Sequence, residues 1–210
     1  MKLDIRLATK EEELQAVYSF RYSVIVQEMG LSIPTADHVV QTIKDPEDRT
    51  GHLFAAYCDQ VIIGTARVNF LRDALVEPHT TLLKLGRLSR QEIHATSVSG
   101  RFLIVKEYRG TSARNDILKV WFQYCREAGI ENDYILVKPK LSALYIRLGF
   151  VHAGDVLDHP EIGEVLPLKL RINDLEHLRT VDSPFVDCFS NTTCVSQNQT
   201  SYNEDSHDFD

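Results

Sequence analysis

The stretch RFLIVKEYRGTSARNDILKVWFQYCREA, residues 101–128, decides the fold of this chain. It opens with the apolar run Phe102-Leu103-Ile104-Val105, which is short and partly β-branched and therefore predicts a buried strand. A polar turn follows, and apolar residues then recur at helical spacing from Ile117 to Ala128. Thr111 or Ser112 can cap this helix and Gly129 can end it.

The junction between this strand and this helix is a candidate anion site. The first N–H groups of a helix have no partner within the helix, and the helix dipole favours negative charge there. Arg109 and Arg114 add fixed positive charge. An ordinary strand–loop–helix connection would show the same pattern, so these residues alone leave both interpretations open.

Length and composition favour one domain. The chain has 210 residues, of which 43% are hydrophobic, enough for one sizeable core. No apolar run approaches the roughly 20 residues of a membrane span, and the opening MKLDIRLATK lacks the apolar core of a signal peptide. The four cysteines show no CxxC spacing and no histidines at zinc-ligand intervals. We therefore expect reduced thiols, no metal and a cytoplasmic location.

The charge is distributed unevenly along the chain. The net charge is −7, and residues 182–210 hold six acids and no lysine or arginine. The remaining 24 of the 30 acids are nearly balanced by 23 bases, which gives no sign of a nucleic-acid surface. The pattern predicts a folded domain over residues 1–181 and a flexible acidic tail over 182–210. Pro184, Phe185, Val186 and Phe189 could still pin the start of this tail to the domain.

Local patterns predict the remaining elements. Before the central stretch we expect a strand at 2–7, a helix at 10–28, a long connection at 29–50 with a short helix near 36–42, a hairpin at 52–57 and 61–70, an irregular strand at 82–91 and a loop at 94–100. After it we expect strands at 134–137, 150–156 and 165–171 and helices at 141–148 and 173–179. Gly64 within a strand indicates a bulge or a close backbone approach. This order favours a mixed α/β sheet over a doubly wound parallel one.

Three segments carry a family resemblance. The turn Val105–Gly110 before the helix is similar to the acyl-CoA-binding turn of the GNAT N-acyltransferase superfamily, and Pro139–Phe150 resembles its late helix with a Tyr-x-x-Leu-Gly-Phe ending. Ile63–Arg67 fits its strand in order and spacing. The resemblance covers residues 3–171 and implies an α/β fold of layered α+β type, with a mixed, mostly antiparallel sheet flanked by helices. It assigns donor binding to Val105, Arg109, Gly110, Thr111, Ser112, Ala113 and Arg114.

The turn departs from the superfamily pattern at two positions. Ser112 stands where the first glycine belongs and Arg114 where a second small residue belongs. Glycine allows close approach of a ligand to the backbone, so the pyrophosphate of CoA fits this turn less readily. Arg114 would either compensate by its charge or block the pocket.

A second resemblance indicates a subgroup. Phe20–Gly30 is similar to the N-terminal helix of long-chain N-acyl amino acid synthases and acyl-homoserine-lactone synthases, and Arg67 matches a strand arginine of that group. Leu85–Leu88 resembles its Glu-x-Ser-Arg-Leu segment, with Lys84 in place of the glutamate and Gly86 in place of the serine. Such enzymes take acyl chains from acyl carrier protein, a donor that lacks the adenosine part of CoA.

These resemblances imply transfer of an acyl group from acyl-CoA or acyl carrier protein to the amine of a small molecule, amino acid or peptide. Tyr145 would protonate the leaving thiolate, and the Val105 N–H would stabilise the oxyanion. Glu28, Glu107 or a held water would act as the base. The guanidinium groups of Arg21, Arg67 and Arg87 would contact an acceptor carboxylate or organise the acyl-donor side. The alternatives are a catalytically inactive GNAT-like binding module and a ligand-binding protein without chemistry.

Overall fold

A computed structural model describes residues 2–190 of the chain. The strands are β1 Asp4–Leu7, β2 Ala36–Asp37, β3 Thr42–Ile43, β4 Gly51–Cys58, β5 Val61–Phe70, β6 Thr96–Ile104, β7 Asn132–Val137, β8 Val151–His152, β9 Leu157–His159 and β10 Gly163–Arg171. The α-helices are α1 Glu11–Tyr22, α2 His79–Leu82, α3 Arg90–His94, α4 Ala113–Glu127, α5 Ser142–Leu148 and α6 Leu175–Thr180. A π-helical segment, Ser23–Glu28, continues α1.

The main sheet has the order β1-β4-β5-β6-β7-β10-β8, with β9 pairing to β10. Each pairing is antiparallel except that between β6 and β7, which is parallel. Helices lie against this sheet, so the prediction of a mixed, mostly antiparallel sheet flanked by helices is confirmed. A small separate hairpin, β2–β3, occupies part of the long connection.

The parallel pair β6–β7 is short, and this determines where a ligand can enter. Only residues 96–98 of β6 pair with residues 132–134 of β7. Strand β6 continues to Ile104 and β7 to Val137 without pairing further with each other, so the sheet opens into a splay between them. Beyond residues 98 and 134, the N–H and C=O groups on the facing edges of β6 and β7 therefore form no hydrogen bonds with each other.

Helix α4 covers the sheet with one apolar face. Ile117, Leu118, Trp121 and Cys125 are buried, as the helical spacing predicted, and Phe122 is buried beside them. A Cβ added at Gly64 would come within 2.7 Å of the Ile117 side chain, which confirms the predicted close approach. Burial of each large apolar side chain contributes about 1.5–3 kcal/mol, so this face fixes α4 against β5 and β6.

The predicted hairpin at 52–57 and 61–70 is confirmed as β4–β5. The expected helix near 36–42 is wrong, because these residues form the β2–β3 hairpin. The irregular strand expected at 82–91 is also wrong. A reciprocal cap starts α3 there, in which Ser89 Oγ accepts from the Glu92 N–H at 3.3 Å and Glu92 accepts from the Ser89 N–H at 2.8 Å.

The loop expected at 94–100 belongs to β6 instead. Ser97 and Ser99 interrupt its apolar pattern, yet they are buried because both hydroxyls donate to the carboxylate of Asp133. The strand expected at 150–156 shortens to β8.

The packed domain extends beyond the boundary expected at residue 181. A 3-10 helix, Pro184–Phe189, lies on α4, and the ring of Phe185 stacks on Phe122 with centroids 4.4 Å apart. Phe185 is fully buried, and Lys119 pairs with Asp187 at 2.5 Å. The core therefore includes the first residues of the acidic segment, while the expected flexibility of residues 191–210 lies outside the described residues. Within residues 2–190, no helix is long and apolar enough to cross a membrane.

Candidate active site

An apolar cavity of about 220 Å³ fills the splay between β6 and β7. One wall is the end of β6, and the other combines β7 with α4 and α5. The side chains that line it include Phe102, Leu103, Leu118, Trp121, Ile135, Val137, Tyr145 and Phe150. Its volume lies below the roughly 300–1,000 Å³ of sites that enclose a whole drug-sized ligand, so it suits one apolar portion of a substrate.

A second, polar cavity of about 90 Å³ meets the first across the floor of the splay. Its own lining residues are Glu47, His79, His159 and Glu161. Both cavities share Arg67, Ser99, Gly100, Arg101, Leu136 and Ile162. A ligand with an apolar chain and a polar head group could therefore span the junction at Ser99–Arg101.

A bulge in β6 directs Arg101 into this junction. The pairing of β5 with β6 shifts register between Thr65 and Arg67, and Arg101 has a φ of 51°. The guanidinium donates to both oxygens of Asp45, with Nε at 2.5 Å and Nη2 at 2.7 Å. Such forked pairs are strong and directional, so this pair fixes both side chains.

A buried ion-pair network lies behind the junction. Arg67 Nη1 donates to Asp45 at 3.0 Å and to Asp48 at 3.1 Å, and Arg21 Nη1 donates to Asp48 at 2.6 Å. Burial alone would raise the pKa of Asp45, but the hydrogen bonds from Arg101 and the surrounding arginine charges lower that pKa to about 2. The network therefore holds Arg67 and Arg101 in fixed positions at neutral pH.

The three arginines predicted from sequence to contact substrate lie in different environments. Arg67 lines both cavities, and its Nε has no protein partner. Arg21 has no exposed side-chain surface and lies within the network, so a substrate carboxylate cannot reach it; its role is to hold Asp48. Arg87 is exposed on a 3-10 turn, Leu85–Arg87, whose buried residue Leu85 anchors the turn elsewhere, and it lines neither cavity.

Tyr145, the expected proton donor, lies in the wall of the apolar cavity. Its ring packs edge-on against Phe150, with centroids 5.5 Å apart. Burial, with a smaller effect from the charge of Asp133, raises the pKa of Tyr145 to about 12, although Arg114 acts in the opposite direction. The phenol is therefore protonated at neutral pH and can donate a proton.

The expected oxyanion donor, Val105, is already occupied. Its N–H donates to the Ile63 carbonyl at 3.0 Å, within the β5–β6 ladder. Successive residues of a strand turn their backbone groups to opposite edges, so those of Ile104 face the splay. The Ile104 carbonyl accepts from Arg109 Nε at 3.0 Å, which agrees with that direction. The Val105 N–H is therefore not free to stabilise an oxyanion.

The expected base, Glu28, lies outside both cavities. It forms an ion pair with Arg109 and accepts a hydrogen bond from the Lys106 N–H at 3.3 Å. Glu28 therefore connects the end of the π-helical segment to residues 105–114, which we call the donor turn. Glu107 is exposed on the same turn and lines neither cavity. Neither carboxylate is placed to take a proton at the junction.

The donor turn is partly occupied by the protein's own groups. Thr111 Oγ1 accepts from the Ala113 N–H at 3.2 Å, and Ser112 caps α4 without a side-chain hydrogen bond. Gly110 has a φ of 85° and open space around it. Together with the Glu28 contacts, this leaves fewer free N–H donors for a pyrophosphate than a helix N-terminus usually offers.

Sequence reasoning missed several groups at the junction. Asp45 and Asp48 bracket a Pro-Glu pair and form a reciprocal cap on the 3-10 helix Pro46–Arg49, a pattern visible in the sequence. His79 and His159 carried no local signal. Burial, followed by the nearby arginine and histidine charges, lowers the pKa of His79 to about 3, so this imidazole is neutral. No group of three or more metal-binding side chains occurs among residues 2–190.

The sheet thus opens between two parallel strands, and a cavity lined by the half-buried Tyr145 lies in the opening. The family model of the N-acyl amino acid synthase FeeM matches residues 16–171. The chain therefore belongs to the N-acyl amino acid synthase FeeM family and is an acyltransferase. The inactive alternative finds no support in this comparison, and the sequence matches none of the curated proteins with which it was compared.

Solved structures agree with this fold. FeeM from uncultured soil microbes is similar at a TM-score of 0.64 and 15% identity, over 86% of this chain and 97% of that chain. The CoA-dependent acyl-homoserine lactone synthase MesI gives 0.66 and 16%, over 87% and 95%. The AHL synthase LasI gives 0.65 and 15%, over 82% and 91%. These likenesses concern the fold, and the family match confirms the resemblance to the N-acyl amino acid synthases.

Proposed function

We propose that the protein transfers an acyl group from a pantetheine thioester to the amine of a small acceptor that carries a carboxylate, with amino acids first among the candidates. The observation that carries this proposal is the junction of an apolar and a polar cavity at Ser99–Arg101. Both cavities open onto the same short stretch of β6. A thioester carbonyl and an amine placed in them would meet there.

The apolar cavity is the proposed place of the acyl chain. Its lining by Leu118, Ile135, Val137 and Phe150 favours an aliphatic group because burial of apolar surface is stabilising. The pantetheine arm would follow the open edge of β6, where the Ile104 N–H can stabilise the oxyanion. Tyr145 would then protonate the departing sulfur, since its phenol keeps its proton at neutral pH.

The polar cavity is the proposed acceptor site. Arg67 lines this cavity, and its guanidinium charge favours a carboxylate there. Glu47 and Glu161 supply negative charge for an ammonium group in the same space. An α-amino acid carries both charges on neighbouring atoms, which matches this pairing of groups.

Either acyl-CoA or acyl carrier protein could supply the donor. The partly occupied turn supports the carrier protein, whereas MesI and BjaI, which share the fold, are described as CoA-dependent. We also propose a cytoplasmic location, where both donors are found. The buried free thiols of Cys58, Cys125 and Cys188 are compatible with a reducing compartment.

The test is product formation across a matrix of donors and acceptors. Acyl chains of increasing length are presented on CoA and on carrier protein, with each amino acid and with the matching amino alcohol that lacks the carboxylate. Mass spectrometry should detect an N-acyl amino acid, and the amino alcohol should react at least tenfold less well because Arg67 loses its partner. Equal reaction of both acceptor classes would contradict the proposed acceptor site, and no reaction with any donor would overturn the function.

A further inference from the structure

Asp133 is a buried carboxyl group that the proposed function leaves unused. It lies on β7 with no exposed surface, and its Oδ1 accepts from Ser97 at 2.6 Å and from Ser99 at 2.8 Å. Its Oδ2 is buried without a hydrogen-bond partner. No basic side chain of residues 2–190 forms an ion pair with it. A carboxyl group held this way is costly as an anion, so a structural role alone explains it poorly.

Ser99 connects this carboxyl group to the junction. Its residue lines both cavities, while its hydroxyl donates to Asp133 and accepts from Trp121 Nε1 at 3.0 Å. Ser97 donates to the same carboxylate oxygen but lines neither cavity. The two serines thus make matching hydrogen bonds to Asp133, and only one of them faces the place where substrates would meet.

We propose that Ser99 is the catalytic group that removes the amine proton, and that Asp133 accepts the proton of Ser99 in the same step. This inference rests on the acyl transfer proposed above. It supplies the base that Glu28 and Glu107 cannot provide from their positions. Ser99 would contact the attacking nitrogen, and Asp133 would act through Ser99.

The proposed step couples formation of the carbon–nitrogen bond to two proton transfers. The amine nitrogen forms a bond to the thioester carbon, and its proton passes to Ser99 Oγ while the Ser99 proton passes to Asp133 Oδ1. The carbon–sulfur bond then breaks, its electron pair goes to sulfur, and Tyr145 protonates the thiolate. After the products leave, Asp133 returns a proton through Ser99 to water, and Tyr145 takes one from water.

The surroundings of Asp133 suit a group that gains and loses a proton. Burial raises its pKa to about 7, although the hydrogen bonds from Ser97 and Ser99 lower it. The charge of Asp133 acts on two neighbouring titratable groups, Cys125 of α4 and Tyr145 of α5. Burial raises the pKa of both, so both are neutral near pH 7, and the charge at this position changes through Asp133.

The test compares S99A with S97A, because each removes one hydrogen bond to the same carboxylate oxygen. S99A should lower kcat by about 10²- to 10⁴-fold, the usual size of general-base catalysis, with KM changed by less than about threefold. S97A should keep kcat within about threefold at high pH and move the acid limb of the pH–rate profile upward. D133N should abolish that limb. Equal losses in S99A and S97A, or an acid limb that persists in D133N, would overturn the relay.

A second readout needs no activity. Trp121 is the chain's single tryptophan and its indole N–H donates to Ser99, so its NMR signal reports on this network. The chemical shift of this indole N–H should change with pH around a midpoint near 7 in the unmodified protein and should not change over this range in D133N. A flat signal in both overturns the relay. If no thioester is turned over while the Trp121 signal titrates, the proposed function fails and the relay fails with it. If thioesters are turned over but D133N has the same pH–rate profile as the unmodified protein, only the relay fails.

Discussion

Arg67 is the residue at which the ion-pair network meets both cavities. In R67A the carboxylates of Asp45 and Asp48 lose a buried partner, and the acceptor loses a guanidinium. We expect kcat/KM for an amino acid acceptor to fall at least 100-fold and the free energy of unfolding to fall by about 1–3 kcal/mol. Kinetics and urea denaturation measure the two effects.

The matched control for Arg67 is R87A, which tests an expectation drawn from sequence alone. Arg87 is exposed and lines neither cavity, so both measurements should stay near those of the unmodified protein. If R87A loses activity as R67A does, the turn at Leu85–Arg87 contributes to the site in a way that its position does not suggest.

The low pKa of Asp45 predicts how the stability of the domain changes at acid pH. Its pKa is lowered to about 2 in the folded protein from an ordinary value near 3.8, so the folded state holds its proton less tightly than the unfolded chain. The resulting stability, about 2 kcal/mol, is fully present above pH 4 and is lost as the pH falls toward 2. Denaturation of the unmodified protein and D45N across this range should show the gap between them narrowing. A constant gap would contradict the low pKa.

Sequence could find Arg67 and Tyr145 because each belongs to a segment with its own pattern. The partners Asp45, Asp48 and Arg101 stayed hidden for a different reason. Asp45 and Arg101 are 56 positions apart, and their pairing depends on a register shift between β5 and β6 that no local pattern encodes. The same bulge sets which residues near the end of β6 turn their N–H groups into the splay, so sequence alone does not separate Val105 from Ile104 as the oxyanion donor.

At the scale of elements, the donor turn and the end of the π-helical segment are joined through Glu28. Replacement by glutamine, E28Q, should release Arg109 and weaken the hold on the Lys106 N–H. Both groups would then be available to a pyrophosphate, so we expect CoA to bind about three- to tenfold more tightly by calorimetry.

E107Q is the control for E28Q, since it removes one negative charge from the same turn. Glu107 is exposed on this turn, and its loss should change CoA affinity by less than twofold. Equal effects of the two variants would mean that overall charge, and not the contact of Glu28 with Arg109, limits CoA binding.

Elements with strong local signals were predictable, and those that depend on burial of polar groups were not. The β4–β5 hairpin and α4 follow from apolar spacing and turn residues. The first half of β6 reads as a loop because Ser97 and Ser99 are polar, and only the distant Asp133 makes their burial possible. Ser89 and Glu92 have the spacing of a reciprocal helix cap, a local signal that indicates α3 and not a strand.

At the scale of the molecule, the splay follows from the relative lengths of strand pairings. β6 pairs with β5 along most of its length but with β7 over only three residues. Element order predicted the mixed sheet, while the position at which the parallel pair ends depends on α4, α5 and the bulge together. The cavities, the network and the proposed relay all lie at this one opening.

The C-terminal segment gives the last prediction, because composition and packing disagree about it. Charge placed the domain boundary at 181, yet Phe185 is fully buried against Phe122. Removal of residues 182–210 deletes this aromatic pair, whereas F185A deletes only the ring of Phe185. We expect F185A to lower the free energy of unfolding by about 3–5 kcal/mol. At roughly 2–4 °C per kcal/mol for a domain of this size, Tm should fall by about 6–20 °C.

Removal of residues 191–210 alone keeps every contact described and should leave Tm within about 2 °C. A protein ending at 181 that melts like one ending at 190 would mean that α4 needs no cover there, and the boundary read from charge would then be the correct one.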